Sequence, residues 1–146
     1  MKFYTEVLKL NTRKELEFIN ITERIIEIVK KSRIKKGFVN VFSRHTTLAI
    51  KINEFEELLV KDLEWLMKRI APERKRYLHD IIRLRKNCPF DEPKNAKGHL
   101  RSMLLETSQM IPLLKSEMQI GKYQRIFAVE TSGPREREIM VQVFGE

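Results

Sequence analysis

The sequence predicts an α+β fold in one domain spanning residues 1–146, and three observations predict it. Apolar residues recur at helical spacing in a few separate stretches. Elsewhere, short strand-like runs recur along the chain, and those at 38–43 and 47–52 alternate apolar and polar residues at period two. The length, 146 residues, suits one continuous core and is short for two.

In order, residues 3–10 read as a first strand, with Phe3, Thr5, Val7 and Lys9 alternating with Tyr4, Glu6, Leu8 and Leu10. Residues 18–20 close a second. Asn20, three places before Glu23, offers a cap for a helix that Ile21, Ile25, Ile28 and Val29 make amphipathic over 21–34, with Gly37 as its stop. Residues 38–43 and 47–52 alternate as two strands, and Arg44, His45 and Thr46 form a polar junction between them. Asn53 then opens a second helix with Leu58, Leu59, Leu63, Leu66, Met67 and Ile70 on one face, and Pro72 forbids its continuation.

Between Pro72 and Pro93 the periodicity fails and Arg74, Lys75, Arg76, Arg83, Arg85 and Lys86 accumulate. An irregular segment of that length in a small domain points to function, which gives weight to His79 and Asp80 within it. A short helix after Asn95 carries His99 with Leu100, Met103 and Leu104. Residues 109–114, 118–120, 123–130 and 136–144 read as strands turning at Gly121 and at Gly133-Pro134.

Composition narrows the function classes. A net charge of +9 favours anionic partners, either phosphorylated metabolites or nucleic acid, without choosing between them. Charged residues make up 34% of the chain, a share typical of heat-adapted proteins. Cys88 stands alone, no apolar run approaches bilayer length, and the N-terminal stretch lacks a signal-peptide core. These features predict a cytoplasmic protein with no membrane role.

The chain has three histidines, His45, His79 and His99. Three histidine ligands are what a catalytic zinc ion uses, because a fourth position then stays open for water or substrate. Their spacing is long and irregular, with no local HExxH-type signature, so scattered hydrogen-bonding roles are the plainer explanation from spacing alone. Asn53 and Glu54 suit a helix cap and first-turn acid. Asp62 falls between Leu59 and Leu63, where an unpaired carboxylate would be costly, so it either sits at the margin or has a cationic partner. Glu130 ends a strand, and Arg135 with Arg137 can grip phosphate or simply occupy a solvated turn. The basic segment around Tyr77 resembles a nucleic-acid patch but lacks any RRM, KH or zinc-knuckle signature.

The ordered motifs His45-Thr46-Thr47, Asn53-Glu54, Asp62, Tyr77-x-His79-Asp80, Asn95-Ala96-x-x-His99-Leu100, Leu104-Leu105, Ile111-Pro112, Gly121-x-Tyr123-Gln124, Glu130 and Gly133-Pro134-Arg135-x-Arg137 resemble the YjbQ-like family. That family is commonly labelled secondary thiamine-phosphate synthase. This chain departs from its pattern at Tyr123, where the family has Trp, and at Glu106 and Ser132, where it often has Gly and Asp.

The resemblance implies two packed mixed β-sheets with flanking helices, a homotrimer, and motif residues gathered near the subunit interface. It also implies an enzyme that joins a pyrimidine pyrophosphate to a thiazole phosphate and releases pyrophosphate. On this expectation His45, His79 and His99 hold a divalent metal, zinc or alternatively magnesium, and Glu54, Asp62 and Glu130 serve as catalytic carboxylates. Asn53, Thr46, Ser102, Arg135 and Arg137 bind the phosphorylated substrate. A metal-free alternative has protonated histidines gripping the anion. The other readings are RNA binding, and a phosphorylated-ligand binder without turnover.

Overall fold

The computed structural model describes residues 1–146. The chain runs β1 (Lys2–Asn11), β2 (Glu17–Asn20), α1 (Thr22–Ser32), β3 (Lys36–Ser43), β4 (Leu48–Glu54), α2 (Glu57–Ile70), α3 (Ala96–Met103), β5 (Ser108–Leu114), β6 (Glu117–Met118), β7 (Gln124–Glu130) and β8 (Glu136–Gly145). Two single-turn 3-10 segments, Leu78–Asp80 and Ile82–Leu84, interrupt the long α2–α3 connection.

The strands form a five-stranded sheet in the order β1-β8-β3-β5-β6 and a three-stranded sheet in the order β2-β7-β4. Every neighbouring pair is antiparallel. The sheets are therefore not mixed as expected, because no strand returns parallel to its neighbour through a helical crossover.

The three-stranded sheet is the middle layer. One of its faces, with Leu48, Ile50, Ile126 and Ala128, packs with Val39, Val41, Ile139 and Val141 of the larger sheet and with Ile25, Ile28 and Val29 of α1. Its other face, with Ala49, Phe127 and Val129, meets Met67 of α2. Burial on both sides explains why Ile126 to Val129 is continuously apolar where a half-buried strand would alternate.

Two helix boundaries differ from the sequence reading. Helix α1 ends at Ser32, with Arg33 taking the left-handed cap at φ 57°, and not at Gly37. Gly37 instead lies in β3 opposite Gly145, where a Cβ would stand 2.0 Å from the Phe144 carbonyl oxygen, so its need is close strand approach. Helix α2 begins at Glu57, and the Glu56 carboxylate caps it by accepting from the Leu58 and Leu59 amides. Asn53 and Glu54 are the last residues of β4 and cap nothing on that helix. Strand pairing with β7 holds them, through Arg125 and Gln124.

Two apolar surfaces stay exposed. The outer face of the larger sheet presents Phe3, Phe38, Phe42 and Met110, and the helical side presents Leu58, Trp65, Met103 and Leu104.

Candidate functional site

The site is built where β7 hands the chain to β8. Glu130 closes β7, is 0% exposed, and accepts hydrogen bonds from Thr12 Oγ1 at 3.0 Å and the Ser132 amide at 2.9 Å. Arg137 on β8 donates to both its oxygens, Nε to Oε2 and Nη2 to Oε1, each at 2.6 Å. Nη2 also donates to Thr47 Oγ1 at 2.8 Å, so Nη1 is the nitrogen that Glu130 and Thr47 leave unengaged. A guanidinium fixed this firmly loses little entropy on gripping an anion.

Helix α3 closes the other wall. Gly98 approaches the turn so closely that a Cβ there would lie 2.7 Å from the Thr131 carbonyl oxygen, and the Thr131 hydroxyl sits within hydrogen-bond distance of the Gly98 and Thr47 carbonyls. Between these walls run two adjoining cavities, of about 390 Å³ beside His45, Thr46 and Arg137 and about 210 Å³ beside Lys94, Lys97 and Ser132. Asn95 and Arg135 line both, and neither cavity has a hydrophobic lining residue. Arg135 donates through Nε to the Ser132 carbonyl, which leaves its two terminal nitrogens for a ligand. Asn95 Oδ1 is buried without a hydrogen-bond partner. Such an orphaned acceptor is costly unless a bound group supplies a donor.

His45 accepts the Glu138 amide through Nε2 at 3.0 Å, which places the proton of the neutral ring on Nδ1. Burial, then the nearby Arg137, pushes its pKa below the usual histidine value. His99 is lowered by burial, then by His79 and Arg85. Both shifts favour the neutral ring, whereas protonated histidines gripping an anion would need the opposite direction at His45 and His99.

Lowered values also fix a sign. In the unfolded chain both rings protonate near the ordinary value of about 6.5. The folded chain resists protonation to lower pH, so their contribution to stability is full above that value and is lost as pH falls through the folded pKa. The expected result is a melting temperature that drops as pH falls below about 6.5, with a shallower drop in His45→Gln. Proton NMR titration checks the cause directly: C2–H resonances of His45 and His99 turning over at the ordinary histidine value would contradict it.

The three histidines do not assemble as one centre. His79 and His99 meet edge to face with ring centroids 5.0 Å apart. His45 stands apart from them, its Nε2 lone pair used by Glu138 and its Nδ1 protonated, so it offers no free lone pair to an ion. No three side chains among His, Cys, Asp and Glu come together to hold a metal within this chain. Within one chain the donor set does not fit the expected three-histidine metal.

Other expected residues are also displaced. Asn53 and Glu54 end β4 at the far side from Leu48, which pairs with Glu130. At about 3.3 Å per residue that separation is roughly 20 Å. Asp62 is exposed on α2, so no desolvation cost demands a cation for it. Ser102 is buried in α3 and lines neither cavity of the cleft. Glu130 is a clamp for Arg137, its oxygens already taken by four donors. Of the expected ligand-binding residues, Thr46, Arg135 and Arg137 share the cleft.

Sequence reasoning gave no binding role to Lys94, Asn95, Lys97 or Glu92, which the structure places on the cleft. Their signal was a proline-flanked acid and base just ahead of a glycine-containing helix, at the end of the longest irregular segment. For Thr12 there was no local signal, since it meets Glu130 across 118 residues of chain.

Two antiparallel sheets with α1 and α2 packed on them, carrying a cleft lined by several cations where β7 turns into β8, define a small double-sheet α+β protein. The chain belongs to the UPF0047, YjbQ-like family, whose model matches residues 6–146. It is 39% identical to a UPF0047 protein of Methanothermobacter thermautotrophicus, over 100% of this chain and 95% of that one. It is 34% identical to a UPF0047 protein of Archaeoglobus fulgidus, over 92% and 97%. Among solved structures, it is similar to a YbjQ-like protein of unknown function from Sulfolobus solfataricus, with a TM-score of 0.90 at 32% identity and 99% coverage of both chains. No helix is long and apolar enough to cross a membrane.

Proposed function

We propose that the cleft binds a phosphorylated small molecule and that the protein is a thiamine-phosphate synthase-like transferase. The observation that carries the binding is Arg137. A buried guanidinium held by a fully buried carboxylate, with one nitrogen left over, beside Arg135 and walls without a hydrophobic residue, suits phosphate oxygens and little else. The His45 Nδ1–H and the Thr46 hydroxyl add neutral donors to the same cavity.

The transfer suits such a site because both of its substrates are phosphorylated and pyrophosphate departs. Catalysis of that kind depends on positioning and on neutralising developing negative charge. Arg137, Arg135, Lys94 and Lys97 do this here. Proton movement has one carboxylate candidate, Glu92, since Glu15 is engaged by Lys97 at 2.8 Å and Arg101 at 3.2 Å. A second reading, binding without turnover, is favoured by the removal of Glu54 and Asp62 from the cleft and the use of Glu130 as a clamp.

The test is one protein and two readouts. Inorganic pyrophosphate is expected to raise the melting temperature, and Arg137→Ala to abolish that rise. Incubation with the pyrimidine pyrophosphate and thiazole phosphate is expected to yield thiamine phosphate. Stabilisation without product would leave the binder and discard the transferase; no stabilisation by any phosphorylated probe would discard both.

The homotrimer belongs to the same proposal. Large apolar groups on two different surfaces, the outer sheet face and the helical side, suit a head-to-tail interface that repeats and closes as a ring. Light scattering on the purified protein would then return three times the 17.5 kDa chain mass. A monomeric mass removes this part of the proposal.

A further inference from the structure

The long α2–α3 connection carries a second concave surface. A groove of about 700 Å³ runs along it and shares only Lys94 with the cleft. Lys75, Arg76, Arg83 and Lys94 line this groove, and none of them takes part in any of the seven ion pairs of the chain. Its one acidic lining residue, Asp80, is occupied by the Ala96 amide at the start of α3.

Two aromatic rings stand among these cations. Tyr77 lies under the Lys75 ammonium at 6.0 Å, and Phe90 is 93% exposed. A phenyl ring this exposed gains nothing for the isolated fold. Interleaved cations and aromatic faces in a groove are what a flexible single strand needs, since phosphates follow the cations and any base can stack on the rings. A membrane would ask for a different shape. It needs apolar groups on a convex rim with cations flanking them, whereas Ile81, Ile82 and Phe90 here line a concavity together with the cations.

We propose that this groove is a docking track for single-stranded RNA, independent of the phosphorylated-ligand cleft. Duplexes are poor occupants because their bases are stacked internally and cannot reach Tyr77 or Phe90.

Fluorescence anisotropy with a labelled oligouridine of about 12 nucleotides tests this, a length within the range of site sizes for single-strand grooves. Loss of one stacked base predicts that Phe90→Ala weakens binding by roughly 5- to 150-fold. Neutralising two phosphate contacts in Lys75→Gln/Arg83→Gln should make the slope of log affinity against log salt shallower by about 1.4. Phe90 is exposed, so its replacement leaves the fold intact, and circular dichroism confirms that in the same samples. Three results would overturn the proposal. One is undetectable binding at low salt; another is oligouridine affinity that ignores Phe90→Ala and matches that of blunt duplex RNA. The third is retention on phosphatidylserine vesicles in preference to oligouridine.

Discussion

Glu130→Gln is expected to lower the free energy of unfolding by about 3–5 kcal/mol and to abolish pyrophosphate binding. The amide keeps the shape of the side chain and can still accept from Ser132 or Thr12. What it removes is the charge opposite Arg137, which is only 5% exposed at its side chain and has no second anion. A buried charge left without its partner costs far more than the pair itself contributes, because the desolvation is still incurred and the Coulombic return is gone. The guanidinium then has two options, to move toward water or to stay and strain the β7–β8 turn, and both displace an arginine that lines the cleft.

The double variant Glu130→Leu/Arg137→Met separates stability from binding. Apolar replacement of both partners should recover most of the lost stability, since the pair was costly to bury in the first place. Binding should stay absent. Urea midpoints and titration calorimetry give the two quantities. If Glu130→Gln unfolds at the parent midpoint and still binds pyrophosphate, Glu130 is not the clamp described here.

Much of the fold was legible in the sequence because its signals are local. Alternation over residues 38–43 and 136–144 names β3 and β8, and the spacing of Ile25, Ile28 and Val29 names the buried face of α1. The errors came where local rules competed. Asn53 is a good cap residue, yet pairing with β7 extends β4 through Asn53 and Glu54 and passes the cap to Glu56. Gly37 is a good helix stop, yet the need for glycine there comes from a strand neighbour 108 residues away in the chain, Gly145. The candidate site was legible in part for a related reason. Arg135 and Arg137 were found from a local motif, whereas the carboxylate that turns Arg137 into a fixed donor could only be ranked as a catalyst until its four donors were visible. The three histidines gave the most misleading signal. The family resemblance implied one centre, but which lone pairs are free is decided by partners such as the Glu138 amide, and no spacing records those.

Arg101→Met is expected to cost about 1–3 kcal/mol of stability, because it strands the Ala71 carbonyl while the Met67 carbonyl keeps the Ala71 amide as a donor. Arg101 lies on the inner face of α3 and is 0% exposed, which no sequence rule would assign to an arginine. Its guanidinium donates to the Met67 carbonyl at 3.2 Å, the Ala71 carbonyl at 2.8 Å and the Glu15 carboxylate at 3.2 Å. The first two are carbonyls at the C-terminal end of α2, of which Met67 also accepts from the Ala71 amide, and a cation there meets the negative end of the helix dipole. Glu15 survives the substitution better, because Lys97 still pairs with it.

Arg101→Lys should recover only part of the loss. An ammonium can reach one or two of these oxygens, but it lacks the planar fork that spans all three. The effect should also spread to ligand binding, since α3 carries Lys97 and presents Gly98 to the β7–β8 turn. A helix loosened at Arg101 moves the wall on which Asn95 and Lys97 stand, so pyrophosphate affinity should fall together with the urea midpoint in Arg101→Met. A variant that loses stability but binds pyrophosphate as tightly as the parent would show that α3 holds its place against the turn through Gly98 and Thr131 alone.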